Sequence, residues 1–122
     1  MAIHKINKDI VVDVGADFSK VFKIKVAGTD TGRDITGWTF VGKIKTSFSG
    51  TVIETLNCTI VDASNGEFKI ALTDSQTAAL TTTNEATKRT ALMGVYTVDS
   101  TDNSGNVQRV LEGRAYLART TI

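Results

Sequence analysis

Catalysis in a small protein rests on a short list of side chains, and this sequence holds few of them. His4 is the only histidine and Cys58 the only cysteine. A serine nucleophile needs a base within hydrogen-bond reach, usually a histidine held by a carboxylate. His4 stands in what reads as an N-terminal arm outside the core. Cys58 lies in Leu56-Asn57-Cys58-Thr59-Ile60, on the parity of Leu56 and Ile60, so strand alternation points it inward as a small hydrophobe, out of reach of His4. One histidine and one cysteine make neither a Cys/His zinc site nor a disulfide framework. Asp13, Asp17, Asp30, Asp34 and Asp62 could meet as a carboxylate pair. Most of them fall in turns, where aspartate serves through side-chain to backbone hydrogen bonds.

The segment Asp99-Ser-Thr-Asp102-Asn103-Ser-Gly105-Asn106 is rich in oxygen and invites a calcium reading. An EF-hand loop begun at Asp99 would carry Ser104 where glycine belongs and Val110 where the bidentate glutamate belongs, so the segment reads as a hairpin loop. No glycine-rich strand-to-helix turn followed by Lys-Ser or Lys-Thr is present to cradle a phosphate, and Gly28-Thr-Asp-Thr-Gly32 reads as a connection between strands. Lys23, Lys25, Lys43 and Lys45 form an outward basic set, with Arg109, Arg114 and Arg119 further on. Charge on strand faces and edges discourages stray pairing, and arginine is also enriched where proteins meet. The residues therefore predict no enzyme, no cofactor, no metal and no small-molecule substrate. Asn57-Cys58-Thr59 matches a glycosylation pattern that has no use without secretion.

Composition narrows the partners. The chain has 122 residues, 41% hydrophobic and 22% charged, with 14 Lys+Arg against 13 Asp+Glu and a formal charge of +1. That is the size and make-up of one folded domain. A near-neutral chain has no field to gather nucleic acid or an anionic bilayer, so neither is expected as a partner. Apolar runs such as Ile10-Val11-Val12 are only a few residues long, far short of the roughly 20 a membrane helix needs. The first residues show no apolar stretch or cleavage site of a secretory signal.

The elements that would position these residues are strands. Apolar and polar residues alternate at period two along most of the chain, predicting strands at Asp9 to Val14, Phe18 to Val26, Trp38 to Lys45, Val52 to Val61, Glu67 to Leu72, Thr90 to Asp99 and Val107 to Leu117. Asn65-Gly66 marks a hairpin. Thr73-Asp-Ser-Gln76 is a capping box that starts one short helix, running to about Leu80 and ended by Thr81-Thr-Thr-Asn84. In the sixth strand Leu92, Tyr96 and Val98 share one face and Met93, Val95 and Thr97 the other; two apolar faces predict a central strand. Gly113 reads as a bulge or a point of close approach. About seven short strands fold most readily as two antiparallel sheets face to face. The expected architecture is an all-β sandwich over residues 9–122 with an N-terminal arm over 1–8. Trp38 would be its buried aromatic, without the cysteine pair of antibody domains.

Several stretches in this order resemble a known family. They are Phe18-Ser-Lys-Val-Phe-Lys-Ile-Lys, Asp34-Ile-Thr-Gly-Trp38-Thr-Phe, Gly66-Glu-Phe-Lys-Ile-Ala-Leu-Thr with Gln76-Thr-Ala-Ala-Leu80, Tyr96-Thr-Val-Asp, and Gly105-Asn-Val-Gln-Arg-Val-Leu-Glu-Gly113. The family is the immunoglobulin-like N-terminal domain of phage baseplate upper proteins, with related small tail and fibre-attachment domains, and the similarity runs from about Asp9 to Thr121. The resemblance implies an immunoglobulin-like sandwich and a structural protein of the virion, made in the host cytoplasm, that docks onto other virion proteins. It also implies a homo-oligomer within the particle. No catalytic residue transfers, because the shared pattern contains none.

A sandwich can reach such partners by laying an arm on a neighbour or by joining its sheet. The arm with Ile3 and Ile6, and the last strand with Arg114, Tyr116 and Arg119, are the candidate interface, and removing Met1 to Lys8 is expected to spare folding. Capsid decoration is an alternative use of the same features. A carbohydrate-binding module is another, but it would want a row of exposed aromatics, and with Trp38 inside only Tyr96 and Tyr116 remain.

Overall fold

Period-two alternation becomes a strand in each of the seven predicted segments, the second of them stopping at Lys23; residues 5–80 and 90–118 are those described in the computed structural model. The strands are β1 (Ile6–Asn7), β2 (Ile10–Asp13), β3 (Phe18–Lys23), β4 (Thr39–Lys45), β5 (Val52–Asp62), β6 (Glu67–Leu72), β7 (Thr90–Thr101) and β8 (Val107–Ala118). They are hydrogen-bonded in the order β1-β8-β7-β4-β5-β6-β3, with β2 also on β8. A 3-10 turn at Ala63–Asn65 ends in Gly66 at φ 76°, a left-handed conformation that suits glycine at the expected hairpin.

The long strand β5 makes two layers out of this path. Its first half, Val52 to Leu56, pairs with β4, and its second half, Asn57 to Asp62, pairs with β6. A strand that changes sheets forms the corner of a sandwich. Across the layers the Phe40 ring of β4 stacks on Phe68 of β6 at 4.7 Å, and Phe68 meets Phe22 of β3 at 6.0 Å. Ile10, Ile24, Ile35, Ile44, Leu56, Ile70, Tyr96 and Leu111 fill the same core. One layer is built on β3 and β6, the other on β4, β7 and β8 in succession, and Trp38 is buried just ahead of β4. This is the arrangement of an immunoglobulin-like β-sandwich, as expected.

The capping box forms as read. The Thr73 hydroxyl accepts from the Gln76 N–H while the Gln76 side chain accepts from the Thr73 N–H, opening α1 (Asp74–Ala78). The Thr77 hydroxyl donates to the Ala16 carbonyl at 2.8 Å, seating the helix against the turn before β3. The predicted end of the helix at 81–84 lies outside the described residues. β7 is central, flanked by β4 and β8.

Four details depart from the sequence reading. β1 and β2 run parallel to β8, so the pairing is not antiparallel throughout. The described part of the arm, residues 5–8, is not a free extension. Ile6 pairs with Leu111 and packs on the core, the Lys8 N–H donates to the Glu112 carbonyl at 3.0 Å, and the buried Tyr96 hydroxyl donates to the Lys8 carbonyl. Removing residues 1–8 would strip β8 of a neighbour and strand that hydroxyl, so the expectation that folding is spared is corrected.

β7 carries a bulge between Leu92 and Gly94. The extra residue, Met93, turns inward and Leu92 turns outward, against the single parity read for the strand. Along β5, Leu56 is buried, Cys58 half-buried and Ile60 exposed, because past Leu56 the strand has left β4 and is flanked only by β6. Gly113 is a close-approach point as predicted: a Cβ there would sit 2.0 Å from the Lys8 carbonyl oxygen.

Candidate functional site

The outer face of the β2-β8-β7 layer gathers the side chains best suited to meeting another protein. Along β8, Leu111, Ala115 and Leu117 are buried, so alternation sends Glu112, Arg114 and Tyr116 outward. Register then builds rows across the strands. Val11 of β2 lies beside Tyr116, and Tyr116 lies beside Leu92. Arg114 lies beside Val95. Val11 is 51% exposed and Leu92 40%, the latter because of the Met93 bulge. Phe48, from the turn between β4 and β5, is 53% exposed. With Val95, Gly113, Arg114, Asn7, Lys8 and Asp9 it lines a cleft of about 420 Å³.

Charge divides this face in two. At one end Glu112 meets Lys5 at 3.1 Å and Arg109 at 3.8 Å, while Arg109 also meets Asp99 at 2.5 Å. These ions answer one another. At the other end the main-chain N–H of Arg114 donates to Asp9 Oδ1 at 3.0 Å, but its guanidinium has no ion pair or hydrogen bond among the described residues. A guanidinium unengaged among the described residues, sharing a cleft with Val95 and Phe48 next to the row of Val11, Tyr116 and Leu92, offers a planar cation and an apolar surface together. Arginine with aromatic residues is the composition enriched where proteins bind.

Of the five residues singled out from sequence, the structure brings Arg114 and Tyr116 onto this face. Ile6 pairs with Leu111 and packs, partly buried, against the core, and what remains exposed of it lines a cleft opposite β3. Ile3 and Arg119 lie outside the described residues, as does His4. Val11, Val95, Leu92 and Phe48 went unread. Leu92 was hidden by the bulge, whereas Phe48 could have been found, being an aromatic in the polar turn Thr46-Ser-Phe-Ser-Gly50.

The remaining candidates serve structure. Asp102 accepts from the N–H groups of Ser104 at 2.9 Å and Asn106 at 3.0 Å, and those donors hold its carboxyl below the usual range. A carboxylate turned onto main-chain N–H donors shapes this hairpin loop from within. Asp62, bonded by Asn65 and Ser64 side chains, and Asp34, bonded by Thr36, are lowered in the same way. Among the described residues no three His, Cys, Asp or Glu side chains cluster as metal ligands. Burial pushes the Cys58 thiol up to about 11, which keeps it protonated and unreactive near neutral pH. The basic set does not gather: Lys23 and Lys25 belong to the β3 side and Lys43 and Lys45 to β4 in the other layer. No described helix is long and apolar enough to cross a membrane.

No family model matches the chain, and no curated protein does. Among solved structures, a chain from the crystal structure of ICOS in complex with ICOS-L and an anti ICOS-L VNAR domain is similar at 16% identity and a TM-score of 0.43. The likeness covers 95% of this chain and 56% of that one, so the chain spans little more than half the length of this neighbour.

Proposed function

We propose that the protein is a structural component of a phage particle, an adaptor of the tail, baseplate or fibre attachment that works by docking onto other virion proteins. The observation that supports docking is the outer face of β8, where Arg114, with no ion pair among the described residues, shares a cleft with Val95 and Phe48 and Tyr116 lies in a row with Val11 and Leu92. Assignment to a phage rests on the resemblance in motif order from Phe18 to Gly113. In this reading a rigid sandwich presents the face, and neighbouring proteins or further copies of the chain cover it. Binding then comes from desolvating the aromatic and aliphatic groups, with the arginine fixing orientation through a carboxylate or main-chain carbonyl of the partner.

Trp38 and Tyr96 are buried, so the described surface offers no row of aromatics on which a sugar would stack, and the carbohydrate reading gains no support. The test is to purify particles from the strain that encodes the chain, identify the protein by mass spectrometry and locate it by cryo-electron microscopy. Density for the sandwich at a tail or baseplate interface is expected. Density on the capsid surface would move the assignment to decoration, and absence from particles would overturn the proposal.

A further inference from the structure

The two ends of the hydrogen-bonded path face each other. β1 and β3 are the terminal strands, and among the described residues neither has a partner on its other side. Between them lies a cleft of about 530 Å³ lined by Lys5, Ile6, Asn7 and, opposite, Val21, Phe22, Lys23 and Lys25. Its floor is apolar, with Phe22 and Ile6 packed on the core and Val21 half exposed at 50%. Its rim is basic. No carboxylate lines it.

Backbone geometry makes β3 a strand acceptor. The Ile24 N–H donates toward β6, to the Gly66 carbonyl at 2.8 Å, and antiparallel pairing alternates. The main-chain groups of Ser19, Val21 and Lys23 therefore point to the open side. An unpaired row of this kind is a template for another strand.

Charge selects the occupant. Lys25 meets Asp30 at 3.6 Å and Lys5 meets Glu112 at 3.1 Å, but both are exposed pairs of the kind worth little in water. Lys23 has no ion pair among the described residues. β3 reads Phe-Ser-Lys-Val-Phe-Lys, with two lysines and no acid, so pairing two copies of β3 would bring four lysines together.

We propose that this seam receives an extended acidic segment of another polypeptide, added as a strand beside β3 with its carboxylates between Lys5, Lys23 and Lys25. The inference rests on the reading of the chain as a docking module and assigns it a second surface, centred on β3 and sharing only Asn7 with the lining of the cleft at Arg114.

The probe is a short soluble peptide alternating Glu and Val, titrated into the full chain by calorimetry, with a Lys/Val peptide as control. Binding of the acidic peptide alone is expected, weakened about tenfold or more by Lys23→Glu, with slowed amide exchange at Ser19, Val21 and Lys23. Val21→Pro removes an outward N–H at an edge position where proline is tolerated and should abolish binding. Lys23→Glu keeps the test independent of whether the proline variant folds. Equal affinity for both peptides, no binding at all, protection on β8 instead of β3, or self-association through β3 on light scattering would each overturn the inference. Because Arg114→Glu should leave this binding unchanged, a failed titration counts against the seam alone, and absence from particles counts against the adaptor reading alone.

Discussion

The inner and outer faces of β7 and β8 belong to the same residues of backbone and obey different rules. Inward, Tyr96, Val98, Leu111, Ala115 and Leu117 are almost wholly buried, and the one polar group among them, the Tyr96 hydroxyl, is answered by the Lys8 carbonyl. Outward, Arg114 is exposed and has no ion pair among the described residues, while Leu92, Val11 and Phe48 expose apolar surface. The contrast teaches that position relative to the core, and not residue type, separates what holds this sandwich together from what it offers to others.

The contrast breaks most plainly at the core. Phe68→Ala removes the ring that Phe40 and Phe22 pack against, and a loss of about 3–5 kcal/mol is expected. It would be read as a fall in thermal midpoint of roughly 10 °C or more by calorimetry. Tyr96→Phe leaves the ring in place and deprives the Lys8 carbonyl of its donor; about 1–2 kcal/mol should be lost in urea unfolding. Burial beside Asp9 raises the Tyr96 phenol above its ordinary value, so the hydroxyl stays a donor through the neutral range.

The turns respond to pH in a defined direction. Asp102 is lowered by the Asn106 and Ser104 amides, so its contribution is present above the ordinary carboxylate value of about 3.9 and is lost as pH falls through the lower folded value. Asp102→Asn should therefore melt below the wild type at pH 7, and the gap should close as the pH drops below about 4. Smallest of all in stability, Arg114→Glu should shift the midpoint hardly at all, within about 0.5 kcal/mol, as befits an exposed side chain away from the core.

Much of this architecture was legible because burial writes itself into alternation. Phe68, Ile70 and Leu72 face in as read, and the Thr73 to Gln76 capping box sits where its four residues place it. What escaped reading depended on contacts distant in sequence. The Met93 bulge reverses Leu92 through its pairing with β8, and no local pattern announces it. The arm read over residues 1–8 is polar enough to look free, yet at Lys8 its backbone is held by Glu112 and Tyr96, more than eighty residues away. Half of the proposed docking face was visible in Arg114 and Tyr116; the rest needed the register that sets Val11, Tyr116 and Leu92 in one row.

The account stands on the outer face being the part that binds. Particles assembled with the double variant Arg114→Glu, Tyr116→Ser in place of the wild-type chain test this most directly, with the variant's melting curve measured alongside. An unchanged fold with the protein lost from purified particles is predicted. A variant that folds equally well and is incorporated at the wild-type level would contradict the claim.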